Sequence, residues 1–102
     1  MRPIRNKMKP IYPGEILKEE LKELELSANA FAKFLSVPVN RITLILNKKR
    51  TVTADTALRF AKFFGTSPEF WLNLQTDFDL KMTIKKSGKK IQKEVNSPHE
   101  AV

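Results

Sequence analysis

Val39, Asn40, Arg41, Thr43, Leu44 and Asn47, followed at once by Lys48-Lys49-Arg50, are the side chains of this sequence whose types and spacing can do chemistry. That chemistry is recognition rather than catalysis. Amide, guanidinium and hydroxyl groups along one short stretch can hydrogen-bond the edges of bases, and cations directly behind them can neutralise phosphates. Ser27 and Asn29, a short distance upstream, complete the candidate DNA-contacting set. Groups of this kind read sequence only if a rigid element carries them into a groove.

The flanking residues specify that element. Ala28, Phe31, Ala32 and Leu35 fall at i, i+3, i+4 and i+7, an apolar stripe on a short helix that Ser27 can cap. Ser36-Val37-Pro38 breaks it, Pro38 suits the first turn of a second helix, and Ile42, Ile45 and Leu46 form that helix's apolar face. Ala32 is small where the two helices must cross, and Val37 can plug the turn. This is the layout of a helix-turn-helix, whose second helix lies in the major groove with its N-terminal side chains on base edges. Many such turns have glycine where φ is positive; here Ser36 stands there and must accept the strain.

The rest of the chain surrounds this unit. Pro13-Gly14 starts a helix with Ile16, Leu17, Leu21 and Leu24 on one side and Glu15, Lys18, Glu19, Lys22 and Glu23 on the other. Thr53 is a good N-cap, with Asp55 in the first turn, for a helix bearing Ala54, Ala57, Leu58, Ala61 and Phe64, widened by Phe60 and Phe63. Gly65 is the expected stop. Thr66-Ser67-Pro68-Glu69 then opens a last helix ending at about Leu80. That helix carries Phe70, Trp71, Leu72, Leu74 and Phe78, more apolar area than one face of a small bundle buries. Phe70, Trp71, Leu74 and Phe78 are therefore expected to meet a second copy in a homodimer. The expected organisation is a flexible basic arm over 1–12, a folded DNA-binding and dimerisation domain over 13–80 and a Lys-rich, disordered or conditionally helical tail over 81–102. In all, an all-α helix-turn-helix fold is expected.

Charge supports this partition. The net charge is +8, yet the acids and bases are segregated. Residues 1–12 carry Arg2, Arg5, Lys7 and Lys9 and no acid, and residues 33–62 are basic apart from Asp55. Residues 15–25 and 69–79 are acidic in balance. Basic patches draw in polyanions such as double-stranded DNA, whereas the acidic stretches suit a basic protein partner. Enzymatic groups are missing: there is no cysteine, the one histidine is His99 near the end, and neither GxxxxGK[ST] nor GxGxxG occurs. No enzyme, cofactor or metal is expected, nor a membrane span, since no apolar run approaches about 20 residues. With no secretory h-region, the expected location is the cytoplasm.

Pro13-Gly14-Glu15-Ile16-Leu17, Thr53-Ala54-Asp55-Thr56-Ala57-Leu58-Arg59 and above all Phe64-Gly65-Thr66-Ser67-Pro68-Glu69-Phe70-Trp71-Leu72-Asn73-Leu74-Gln75 resemble the HigA family. These are antidotes (antitoxins) of bacterial addiction modules, within the Xre group of helix-turn-helix regulators, and the resemblance runs from about Ile11 to Leu80. It implies a five-helix, Xre- or lambda-repressor-like domain, a homodimer, binding to the module's own operator, and neutralisation of a cognate HigB-like toxin, a ribosome-dependent messenger-RNA endonuclease. The family usually has glycine where Ser36 and Lys48 stand, so Asn47 or Lys48 must become left-handed, and Asn47 is the better candidate by propensity. A toxin that binds RNA presents a basic surface, for which Glu15, Glu19, Glu20 and Glu23 offer an acidic one. Two other readings remain at this point, a stand-alone or phage-type repressor and a helical protein-interaction adaptor.

Overall fold

The computed structural model describes residues 10–98. Among them the chain forms five helices and no strand: α1 Pro13–Glu23, α2 Ala28–Leu35, α3 Val39–Leu46, α4 Ala54–Phe64 and α5 Pro68–Glu94. Residues 1–9 of the expected basic arm, and residues 99–102 with His99, lie outside the described residues.

Each start follows from local chemistry. Ser27 Oγ accepts from Ala30 N, Thr53 Oγ1 from Thr56 N and Ser67 Oγ from Phe70 N, which satisfies donors that a first helical turn leaves orphaned. Pro13 and Pro68 stand in the first turns of α1 and α5, where a missing N–H costs nothing. Pro38 is the N-cap of α3, one position outside the helix it was expected to begin.

The four short helices also end alike. Leu26 N donates to Leu21 O, Val37 N to Ala32 O, Lys49 N to Leu44 O and Thr66 N to Ala61 O, each closing over a left-handed residue. Those residues are Glu25 (φ 52), Ser36 (φ 58), Lys48 (φ 62) and Gly65 (φ 73). Only the last pays no Cβ penalty, which for the others is about 1–2 kcal/mol each. Ser36 thus takes the strain expected of it. Asn47 does not: its φ is −92°, and Lys48 turns left-handed instead. The bond from Lys49 N to Leu44 O sets the register, and the residue before its donor must turn whatever the propensity of its neighbour.

Packing joins α3 to α1 and α2, and α4 to α2 and α5, around Leu17, Leu21, Phe31, Ala32, Leu35, Ile42, Ile45, Val52, Ala57, Phe60 and Trp71. Phe31 is at the centre, with the rings of Phe60, Phe63 and Phe64 at 5.5, 5.0 and 5.6 Å. Leu24 and Leu58, expected on buried faces, are exposed. Leu24 already belongs to the turn after α1, and Leu58 lies about 100° round the helix from Ala57, outside the face shared by Ala57, Phe60 and Ala61. Trp71 corrects the expectation of a partner contact. It is 1% exposed, stacks near Phe60 and Phe64, and donates Nε1 to Thr66 Oγ1 at 3.2 Å, all within one chain.

Two polar contacts tie down the loop between α3 and α4. Val52 N donates to buried Gln75 Oε1 at 2.9 Å, and the Tyr12 hydroxyl donates to Arg50 O. Burial first, and the charge of Asp79 second, push the Tyr12 phenol above its ordinary value.

The largest departure concerns α5, expected to stop near Leu80 with a disordered or conditionally helical tail after it. It continues to Glu94, 27 residues and about 40 Å long. Between Glu69 and Ser97 there is no proline to stop it, the sequence is rich in lysine, and Asp77 with Lys81 and Lys90 with Glu94 add i,i+4 pairs. Its first turns touch the core, through buried Trp71 and Gln75 and half-buried Leu72 and Leu74, while Leu80, Ile84, Ile91 and Val95 remain exposed.

Gly14 shows how close α1 and α3 come. A Cβ built on it would lie 2.2 Å from Ile45 O, a backbone atom that cannot move aside by rotation. Gly14→Ala should therefore push α1 off α3 and cost about 1–3 kcal/mol of stability, read as a lower urea midpoint with an unchanged slope. An unaltered midpoint would show that the helices are free to separate.

Candidate nucleic-acid interface

Ile42 and Ile45 pin one side of α3 into the core, and their spacing decides what is left on the other. Val39, Asn40 and Asn47 are exposed, while Arg41, Thr43 and Leu44 are half-buried at the margin of that outer face. Thr43 turns its hydroxyl to Asn40 O at 3.4 Å. Ser27 and Asn29 are exposed at the start of α2, with Ser27 engaged as its cap. Lys48, Lys49 and Arg50 follow α3, all exposed. The positive end of the α2 dipole and these cations bracket a helix whose exposed side chains are polar or small, an arrangement suited to a phosphate-lined groove.

Two cations of the set are already paired. Arg41 Nη1 donates to Asp55 Oδ1 at 2.7 Å, and Arg59 Nε donates to the same oxygen at 2.8 Å. Hydrogen bonds from Arg59 and then Arg41 hold the Asp55 carboxyl below the ordinary aspartate value of 3.8, so it is charged throughout the neutral range. Whatever the cluster contributes to stability is present above that ordinary value and lost as pH falls through the lower, folded one. Lys48 Nζ lies 3.0 Å from Glu15 Oε2, a contact between the end of α3 and the start of α1. Sequence reading missed both ties. Asp55 and Arg59 at i and i+4 were visible as a pair on α4, but nothing in the chain order connects them to Arg41.

The other candidate surfaces separate from this one. Glu19, Glu20 and Glu23 are exposed on the outer side of α1, whereas half-buried Glu15 faces α3 through Lys48. On α5, Phe70 is 43% exposed and Leu74 half-buried, and both line a shallow groove with Asn73, Thr76, Asp77 and Leu80. Phe78 is half-buried and packs edge-on against Tyr12 at 4.9 Å. Among the described residues no helix is long and apolar enough to cross a membrane, and no cluster of acids and histidine has a metal-holding arrangement.

With this geometry in place, likeness to known proteins becomes informative. The Helix-turn-helix family model matches residues 17–71. An addiction module antidote protein of the HigA family from Coxiella burnetii is 66% identical and superposes with a TM-score of 0.85, covering 88% of this chain and 99% of its own. Pseudomonas aeruginosa antitoxin HigA, solved with the higBA promoter, is 37% identical with a TM-score of 0.84, over 88% of this chain and 99% of its own. Virulence-associated protein I of Dichelobacter nodosus is 53% identical over 79 residues, 76% of this chain and 73% of that protein. The matched segment spans α2, α3 and α4 entire.

Proposed function

Because the chain belongs to the helix-turn-helix regulators of the HigA antitoxin family, we propose that it binds its own operator as a dimer, represses its own module and neutralises a HigB-like messenger-RNA endonuclease. The family is one of DNA-binding regulators and not of enzymes. The observation that carries the DNA-binding part is the outer face of α3, bare of packing and bordered by Lys48, Lys49 and Arg50. The Pseudomonas relative with the same backbone was solved with promoter DNA, which supports placing this face in a groove.

Roles within the interface differ. Asn40 and Arg41, in the first turn of α3, are placed to reach base edges. Lys49 and Arg50 lie beyond its end, where phosphates pass, and Lys48 can join them on leaving Glu15. Arg41→Ala should weaken operator binding by about 1–3 kcal/mol and relax sequence preference. Lys49→Ala should instead weaken all sequences alike and shallow the salt dependence of log K by about one unit. Fluorescence titrations of operator and random duplexes across a salt series separate the two, and an Arg41→Ala protein that discriminates as well as the wild type would remove α3 from the groove.

A dimer reading a two-fold related site needs an isologous contact. We assign it to the exposed side of α5, through Phe70 and Leu74 with Phe78 at its margin and without Trp71. Leu74→Asp should sediment as a monomer with its helical content intact, and operator affinity should fall with it. A folded Leu74→Asp dimer would relocate the interface.

For the toxin, the support is charge complementarity. An RNA-binding enzyme carries a basic surface, and Glu19, Glu20 and Glu23 present carboxylates on the outer side of α1, away from the cations that follow α3. Glu15 contributes less, since Lys48 already neutralises it. Replacing Glu19, Glu20 and Glu23 together by Lys should abolish or strongly weaken binding of the neighbouring gene's product in calorimetry while operator binding persists. Undiminished toxin affinity would move that contact elsewhere on the molecule.

A further inference from the structure

Arg41 reads bases in the function proposed above, yet its guanidinium is not loose. Nη1 is held by Asp55 Oδ1, from the first turn of α4. The same oxygen accepts Arg59 Nε, and Arg59 Nη1 donates to Leu35 O at 2.8 Å. A chain of hydrogen bonds therefore runs from the last residue of α2 through Arg59 and Asp55 to the first turn of α3. We infer that Asp55 is a positioning residue for base recognition: it fixes the direction of the Arg41 guanidinium and so sets sequence preference at the base pair that Arg41 contacts. This rests on the DNA-binding reading above.

Three physical arguments support the assignment. An arginine on a flexible stem beside DNA is drawn to the nearest phosphate, a contact that carries no sequence information. Tethering Nη1 through one of its hydrogens restricts that swing and leaves the other N–H donors available for the O6 and N7 acceptors of a guanine. A carboxylate that only masked Arg41 would have to give it up when DNA arrives. Asp55 is not free to withdraw with it, because Arg59, itself anchored on α2, holds the same oxygen.

A purely structural role fits less well. The Asp55 side chain is 58% exposed, and pairs this exposed contribute little to folding. The cluster also carries two cations against one anion, so Asp55 lowers the positive potential that attracts phosphate. An acid beside a DNA-reading arginine weakens nonspecific attraction, and a gain in direction offsets that loss.

The test compares dissociation constants for the duplex upstream of the gene and for a random duplex of equal length, at one salt concentration. The proteins are wild type, Asp55→Ala, Arg41→Ala and the double variant, each with its thermal midpoint. Asp55→Ala should melt close to wild type and bind random DNA more tightly, since a negative charge has gone, yet lose about tenfold in the ratio of operator to random affinity. In the Arg41→Ala background, removing Asp55 should change that ratio by less than about twofold, because there is no guanidinium left to position.

A ratio that Asp55→Ala leaves intact or raises overturns the inference and makes Asp55 a mask. So does a loss of the same size in the Arg41→Ala background, which would make it general electrostatics. Discrimination lost in Arg41→Ala but kept in Asp55→Ala overturns this inference alone. A wild type with no operator preference overturns the DNA-binding reading as well.

Discussion

Burial of Ile42 and Ile45 in the core, where α3 packs on α1 and α2, is the contact on which the rest of this structure depends. An eight-residue helix such as α3 is not stable alone in water. It exists because two of its side chains reach the core, and it is useful because the others do not. Gly14 lets α1 lie directly on the Ile45 carbonyl, and Ser36 and Lys48 accept left-handed backbone so that α2 and α3 can end where the crossing requires. The strain at those two residues is tolerable only because the hydrophobic contacts outweigh it.

Electrostatics acts on a finer scale. The basic character of the segment around α3 supplies long-range attraction, but Asp55 and Glu15 each place a carboxylate on a cation of that segment. These pairs are exposed and contribute little to folding. Their effect is on orientation, since Arg41 is tied to α4 and Lys48 to α1. In this way α1 and α4 can influence how α3 presents its outer face.

The long α5 divides into two physical regimes. Its first turns are core, with Trp71 buried and Gln75 holding Val52 N, so they are fixed by tertiary contacts. Its later turns have no such support among the described residues and rest on helix propensity and i,i+4 ion pairs. The same helix thus serves as a wall of the domain at one end and as an outward projection at the other. The groove bearing Phe70, Leu74 and Leu80 lies where the two regimes meet.

Much of this was legible in the sequence, because it depends on interactions between residues a few positions apart. The caps at Ser27, Thr53 and Ser67, the helix-turn-helix spacing and the stop at Gly65 are local, and composition alone argued against a catalytic or thiolate site. Where the outcome needed distant partners, chain order was not enough. Trp71 could have faced a second copy or the core, and only the positions of Phe60, Phe64 and Thr66 decided for the core. Lys48 rather than Asn47 turns left-handed because the bond from Lys49 N to Leu44 O fixes the register against propensity. Arg41 could be picked out as a candidate for base recognition, but its tether joins positions 14 apart in sequence on separate helices. Sequence determined which short elements form and which groups they carry. Tertiary structure decided which of those groups are held, and in what direction, because hydrogen-bonding direction depends on the crossing of helices that no local pattern encodes.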